Sequence, residues 1–207
     1  MSPLWIWGAA ALVYAAFRLW YDGIPRPLAA AEIDDLVSRL PPESLGNEAE
    51  VASMRAFLSA DDGREFAMVN LVKLSSEPVA HPTTGEKMPA RDVFQVYMKD
   101  FFPALLRRAG FPLLGARAIG GYVDSWNVPP DPGWTIVGYM RYRSRRDMME
   151  LVVDPRFAAA HRFKVAAMPV TFSFPTKPMA GFYLSPRAWV GLVVALVAAL
   201  LHIALAG

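Results

Sequence analysis

Hydrophobic positions fall into two continuous blocks at the ends of the chain and a patterned middle between them. From Leu4 to Tyr21 the chain reads LWIWGAAALVYAAFRLWY, and from Ala188 to Gly207 it reads AWVGLVVALVAALLHIALAG, with His202 the only ionisable side chain of the second block. As helices the blocks reach about 27 Å and about 30 Å, enough to cross a hydrocarbon layer if Arg18 extends its head to the interface. A soluble core helix would show a polar face, and the second block is apolar all round. Trp5, Trp7, Trp20 and Tyr21 mark the two ends of the first block as aromatic belts. A cleaved signal peptide is the other reading of that block. No Lys or Arg precedes it and bulky aromatics fill its far end, so an uncleaved anchor is expected.

The middle alternates helical and strand periods. Ile33, Leu36, Val37 and Leu40 give a short amphipathic helix stopped by Pro41 and Pro42, and Asn47 with Glu50 starts another that carries Val51, Met54, Phe57 and Leu58. EFAMVNLVKL, residues 65–74, is apolar on both faces as a central strand should be, and a Pro-, Thr- and Gly-rich loop follows from Ser75 to Ala90. Residues 91–109 predict a long helix with Phe94, Tyr97, Met98, Phe101 and Leu105 on its stripe, a kink at Pro103 and a stop at Gly110. A strand is predicted from Leu113 through Trp126, bulged at Gly120 and Gly121, with WTIVGYMRYR returning after the NVPPDPG loop. Ser144 with Asp147 opens a helix ending at Asp154, and Pro155 restarts one whose apolar face is Phe157, His161, Val165 and Met168. PVTFSF alternates, with Val170, Phe172 and Phe174 on one face.

The order over residues 64–176 is β, α, β, β, α, β. It predicts an α+β fold, a ferredoxin-like split unit with an antiparallel sheet and both helices on one face. The expected organisation is a transmembrane helix at 1–21, a linker with two short helices at 22–62, the ferredoxin-like domain at 63–178, a juxtamembrane stretch at 179–187 and a second transmembrane helix at 188–207. The bare sheet face needs cover, and a second copy packed sheet to sheet is the economical solution. FAMVNLVKL, the helix containing Tyr97, the strand ending in MRYRSRRDM and the segment VVDPRFAAAHRFKVAAM resemble bacterial proteins of the dimeric α/β-barrel superfamily. Those proteins often carry an N-L-L-K-F first strand, a Y-P-S-R turn and a D-P-x-[YF] break before an H-R pair, and here Arg143 stands where the turn usually has proline. The resemblance covers about residues 63–176 and implies a fold and a homodimer. Monooxygenases, isomerases, cyclases and haem-dependent enzymes share the superfamily, so it does not imply one activity.

Composition changes the picture in three ways. The 207 residues are 54% hydrophobic and only 19% charged, which excludes disorder, and the absence of cysteine excludes disulfides, thiolate metal sites and cysteine nucleophiles. A net charge of +2 gives no global field for nucleic acid, so no nucleic-acid partner is expected. All 21 Lys and Arg lie between Arg18 and Arg187, and Arg18, Arg26, Lys177 and Arg187 flank the inner ends of the two apolar blocks. The positive-inside rule then places residues 22–187 in the cytoplasm with both termini outside, at a bacterial inner membrane. Arg156, Arg162, Lys164, Lys177 and Arg187 occur with no acidic residue over 155–187, either a basic face for anionic headgroups or a merely solvated one.

Candidate chemistry is sparse. Gly8, Ala11 and Ala15 in the first block and Gly191, Ala195 and Ala199 in the second recur at helical spacing, which suits close helix association within the chain, between chains or with another integral-membrane protein. An Ala-rich composition also produces such stripes. His81, His161 and His202 show no paired spacing, so no metal site is expected. No nucleotide-binding or hydrolase motif occurs. His161 is the candidate acid/base, with a satisfied core histidine as the plainer reading. Asn70 in an apolar strand, Tyr97 on the helical stripe and Arg141 in the return strand are the candidate ligand-binding residues. Each has a structural alternative: amide bonding to a neighbouring strand, core packing, and an ion pair across a dimer. No cofactor is expected. A tetrapyrrole on His202, from the spacing of Ala198 four residues before it, is the alternative to a histidine bonded to headgroups, Trp5 or Trp7. The functional expectation is a non-catalytic accessory or scaffold subunit of an integral-membrane complex, against a tethered enzyme acting on a small hydrophobic or aromatic molecule.

Overall fold

A computed structural model describes residues 3–40, 47–179 and 185–206. In chain order its elements are α1 (Leu4–Asp22), α2 (Ala30–Ser38), α3 (Glu48–Ser59), β1 (Phe66–Lys73), β2 (Val79–Ala80), β3 (Lys87–Met88), α4 (Ala90–Arg107), β4 (Phe111–Arg117), β5 (Ile136–Tyr142), α5 (Arg145–Val152), α6 (Pro155–Ala167), β6 (Val170–Thr176) and α7 (Pro186–Ala206). The chain forms two units, Met1–Ile24 with Pro178–Gly207, and Pro25–Lys177.

In the second unit β4, β5, β1 and β6 form one sheet in that order, with every neighbouring pair antiparallel. Apart from the β2–β3 hairpin, this is the split connectivity the residue periods predict, with the break between α5 and α6 at Pro155. Each element has a local cause. Ser144 Oγ accepts from Asp147 N at 3.0 Å to start α5, Asp154 Oδ1 accepts from Arg156 N at 3.0 Å to start α6, and Pro155 fits the first turn of α6, which needs no N–H there. At the end of α4 Ala109 takes φ 54°, and the Gly110 amide returns to Leu105 O at 3.0 Å. Pro103 lies inside α4.

The core lies between one sheet face and α4, α5 and α6, and α2 and α3 contribute to it through Ile33, Leu36 and Leu58. Leu58, Leu105 and Leu151 are sealed from solvent, each worth about 1.5–3 kcal/mol of burial. Gly63, at φ 67°, sits so close to the Arg26–Pro27 backbone that a Cβ there would collide with it.

Two expectations need correction. The strand predicted through Trp126 ends at Arg117: after Ala118 N bonds to Thr135 O at 3.0 Å the chain leaves the sheet, and Gly120 and Gly121 lie in the departing segment. Glycine has no side chain to hold a strand there, and Asp131 closes the excursion by accepting from Tyr122 N and Gly133 N. The irregularity in β4 lies earlier, between Pro112 and Leu114. The second correction concerns α6: Val165 is 57% exposed, and Lys164 takes the inward position. At about 100° per residue, Lys164 lies about 20° from Phe157 around the helix and Val165 about 80° away.

In the first unit α1 and α7 pack against each other. Both are long and apolar enough to cross a membrane.

Candidate functional site

The strand registers explain why a cavity opens under the helices. Ser173 of β6, Asn70 of β1, Gly138 of β5 and Gly115 of β4 form one row across the inner face of the sheet. Two of the four have no side chain, and a Cβ added at Gly115 would meet nothing within 4 Å. Above this gap lies a cavity of about 470 Å³, walled by α4, α5 and α6 and by Met68, Met140 and Tyr142 of the adjoining rows. Its aromatic side is a stack: Tyr97 lies over Phe101 with ring centres 5.6 Å apart, and Phe157 approaches them at 5.6 and 5.8 Å. Methionines from strands and helices fill much of the remainder, a lining that adapts to shape.

Asn70, Tyr97 and His161, three of the four residues singled out as ligand-binding, line this cavity. Asn70 donates from Nδ2 to Met68 O at 3.1 Å and accepts at Oδ1 from Ser173 Oγ at 2.8 Å, so its amide is held in plane at the cavity floor. Arg141 is elsewhere. It lies on the opposite face of the sheet, pairs with Glu65 at 2.6 Å, donates to Ala109 O at 2.5 Å and stacks on the Phe111 ring at 5.5 Å. It is 3% exposed, and its role is to tie β5 to the segments that precede β1 and β4.

Lys164, Tyr142, Gly115 and Gly138 belong to the site and were not singled out from the sequence. Lys164 lies in the stripe Phe157, His161, Lys164 and Met168, and all four line the cavity. Burial pulls its ammonium below the usual lysine range, and no carboxylate counters that. Burial likewise pushes the Tyr97 and Tyr142 hydroxyls well above the usual phenol range, the two reinforcing each other at Tyr97. Lys164 was legible as a cation inside an apolar stripe, although snorkelling is the usual fate of such a residue. No signal short of the strand register marks the two glycines.

Outside the cavity, His81 accepts at Nδ1 from Thr83 N and Thr84 N and packs on Phe163 at 5.2 Å, a structural role. Among the described residues no group of three or more His, Asp and Glu is close enough to hold a metal. The outer face of the sheet carries an apolar surface. Leu114, Tyr139, Val69 and Phe174 form one row across it, and Ala116, Val137, Leu71 and Phe172 form the next. Leu114, Phe172 and Phe174 are 54%, 48% and 43% exposed.

In the helix pair, Ile6, Ala10, Tyr14, Phe17 and Tyr21 make the most covered stripe of α1, with Gly191, Val194, Ala198 and His202 on α7. Tyr14 donates to Arg187 O at 2.8 Å, Arg187 pairs with Asp22 at 2.7 Å, and Trp7 donates to His202 Nδ1 at 3.2 Å. Of the small residues singled out, Gly191 meets Tyr14 and Ala199 is half-buried, whereas Gly8, Ala11, Ala15 and Ala195 are exposed. The ring of Tyr14 takes the place that Ala11 and Ala15 were expected to fill.

No family model matches the chain, and no curated protein matches it. Among solved structures, a protein of unknown function from Rhodopseudomonas palustris is similar at 23% identity, covering 65% of this chain and 95% of that one with a TM-score of 0.52. Its methylated form gives 22% identity, coverage of 66% and 95%, and the same TM-score of 0.52. A dimeric protein of ferredoxin-like fold from Bacteroides fragilis is 14% identical, covering 55% of this chain and 96% of that one, with a TM-score of 0.32. At such identity, the likeness to the Rhodopseudomonas palustris protein is one of fold alone.

Proposed function

We propose that the chain is a membrane-anchored protein whose α/β unit binds, and as an enzyme transforms, a small hydrophobic or aromatic molecule. The observation that carries this reading is the cavity of about 470 Å³, on which Asn70, Tyr97 and His161 converge from a strand and two helices. Its volume falls in the lower half of the range typical of small-molecule sites, and it joins an apolar wall to a few polar groups. His161 is the acid/base group of this reading, Asn70 orients the ligand from the floor, and Tyr97 supplies a hydroxyl and a ring face. Arg141 has no part in it. The helix pair is the anchor: its outward side chains are mainly apolar, and Trp7 and Tyr14 make their polar contacts between the two helices. Arg18, Arg26, Lys177 and Arg187 beside the two helices support the cytoplasmic side of a bacterial inner membrane for the α/β unit.

The test uses the full chain in lipid nanodiscs with 1-naphthamide, a neutral aromatic probe. Saturation to about 100 times Kd should raise Tm by roughly 5–10 °C. No shift with any small aromatic probe sinks the reading. Anchoring is checked separately, by whether the chain stays with vesicles after an alkaline wash.

A second reading, an accessory subunit or homodimeric scaffold of an integral-membrane complex, is favoured by the open outer face of the sheet, where Leu114, Phe172 and Phe174 stand half exposed. The two readings are compatible if that face is covered by a second copy.

A further inference from the structure

Three polar side chains on the cavity wall, Lys164, Tyr97 and Tyr142, bring a cation and two hydroxyl donors to the enclosed space. The Lys164 side chain lines it without a hydrogen bond or ion pair to any described residue, and no Asp or Glu lies on its described wall. The Tyr97 and Tyr142 hydroxyls, also on the wall, have no hydrogen-bond partner among the described residues. None of these three atoms is sealed away, because among the described residues the one buried side-chain polar atom without a partner is Arg146 Nε. The acceptor on the floor, Asn70 Oδ1, is already taken by Ser173. A lysine held in an apolar enclosure costs free energy until an anion meets it, and hydroxyl donors left open to the same space are costly in the same way.

We infer that the cavity takes the carboxylate of a largely apolar aromatic acid, with Lys164 the residue that recognises the acid group. The inference rests on the reading of the cavity as a binding site. Lys164 meets the carboxylate as a point charge and the tyrosine hydroxyls supply further donors, so the acid group finds partners without displacing any bond already made. The ring of the ligand lies against Phe101 and Phe157 and fills the space over Gly115 and Gly138.

The experiment pairs 1-naphthoate with 1-naphthamide, which have the same ring and nearly the same shape but differ in charge. Both are titrated into the full chain in nanodiscs, with empty nanodiscs subtracted for partition into lipid. The naphthoate should bind at least tenfold more tightly. Lys164→Met should weaken naphthoate at least tenfold more than it changes naphthamide, so that the preference for the acid is lost, and should raise Tm of the unliganded protein. Lys164→Arg should keep the preference for the acid. Equal affinity of the two probes for the unaltered chain overturns the inference and leaves the binding site standing, and that comparison needs no variant to fold. Retention of the preference by Lys164→Met also overturns it. If neither probe binds, the binding site and the inference fall together.

Discussion

Leu196 on α7 and Val165 on α6 are almost equally exposed, at 59% and 57%, yet they belong to surfaces of opposite kind. Around Val165 the exposed charges of the helix are Arg156 and Arg162, and its apolar residues Phe157, Phe163 and Met168 are buried. Around Leu196 the apolar residues are outside: Leu192, Val193, Val197 and Leu200 are all exposed, whereas the polar contacts of Trp7, Tyr14 and Arg187 lie between the helices. One unit hides its apolar surface and the other exposes it, as the proposed anchor requires. The sharpest way to break that comparison is to put the same charge at both positions. Leu196→Arg should cost about 3 kcal/mol of insertion, because a guanidinium near the middle of a bilayer loses its hydration, and should release the chain into an alkaline wash. Val165→Arg should change stability by less than about 0.5 kcal/mol in thermal unfolding. If the two variants behave alike, α7 faces water.

The second contrast is between two glycines. Gly191 is pressed against the Tyr14 ring, so a Cβ there would lie 3.3 Å from Cε2, whereas Gly115 opens on empty space. Gly115→Leu therefore places a side chain inside the cavity with little clash. We expect it to abolish binding of 1-naphthamide, a loss of at least 30-fold or about 2 kcal/mol, with Tm unchanged or raised. Unaltered affinity in a titration of this variant would move the binding site out from under the helices.

These contrasts also separate what the sequence makes legible from what it does not. The helix ends were legible because their causes are local: Ser144 caps Asp147 three residues on, Asn47 caps Glu50, and Pro155 cannot sit deeper than the first turn. The element order followed from the alternation of strand and helical periods, and Asn70, Tyr97 and His161 reach one cavity because each breaks an apolar stripe that faces inward. Arg141 was misplaced as a ligand contact because its partners, Glu65 and Ala109 O, lie 76 and 32 residues away, and no local period reports them. The gap over Gly115 and Gly138 arises only when β4, β5 and β1 are put in register, so composition is silent about it. For α2 and α3 the amphipathic period was readable, but their docking onto the α/β core depends on tertiary pairs such as Arg146 with Glu32.

The two faces of the sheet give the third contrast, one covered by helices and the other carrying Phe172 and Phe174 half exposed. If a second copy covers the outer face, Phe174→Glu should weaken association by about 1–2 kcal/mol, because it removes a packed ring and buries a carboxylate. Light scattering or analytical ultracentrifugation across a concentration series should show the dimer dissociating at roughly tenfold higher concentration. Association that survives this change in full would assign the contact to another surface.

The smallest expected effect belongs to the water-facing side of the comparison, where charge is cheap. Arg146 of α5 grips Glu32 of α2 with Nη1 and Nη2 at 2.7 and 3.0 Å, and the Ala29 amide adds a third bond at 3.0 Å. The guanidinium bonds, with help from that amide, hold the Glu32 carboxyl down at about 2, below the usual value of 4.5. A carboxyl lowered on folding contributes stability at every pH above its unfolded value, and that contribution fades as pH falls from about 4.5 towards 2. Glu32→Gln removes the charge at all pH values. The Tm difference between the unaltered chain and the variant should therefore be constant above about pH 5 and shrink steadily below it, small throughout because the pair is open to solvent. A difference that stays flat from pH 6 to pH 3 would mean that α2 is held by the apolar contacts of Ile33 and Leu36 alone. That outcome would place α2 in the same class as the rest of the α/β unit, docked by what it hides from water.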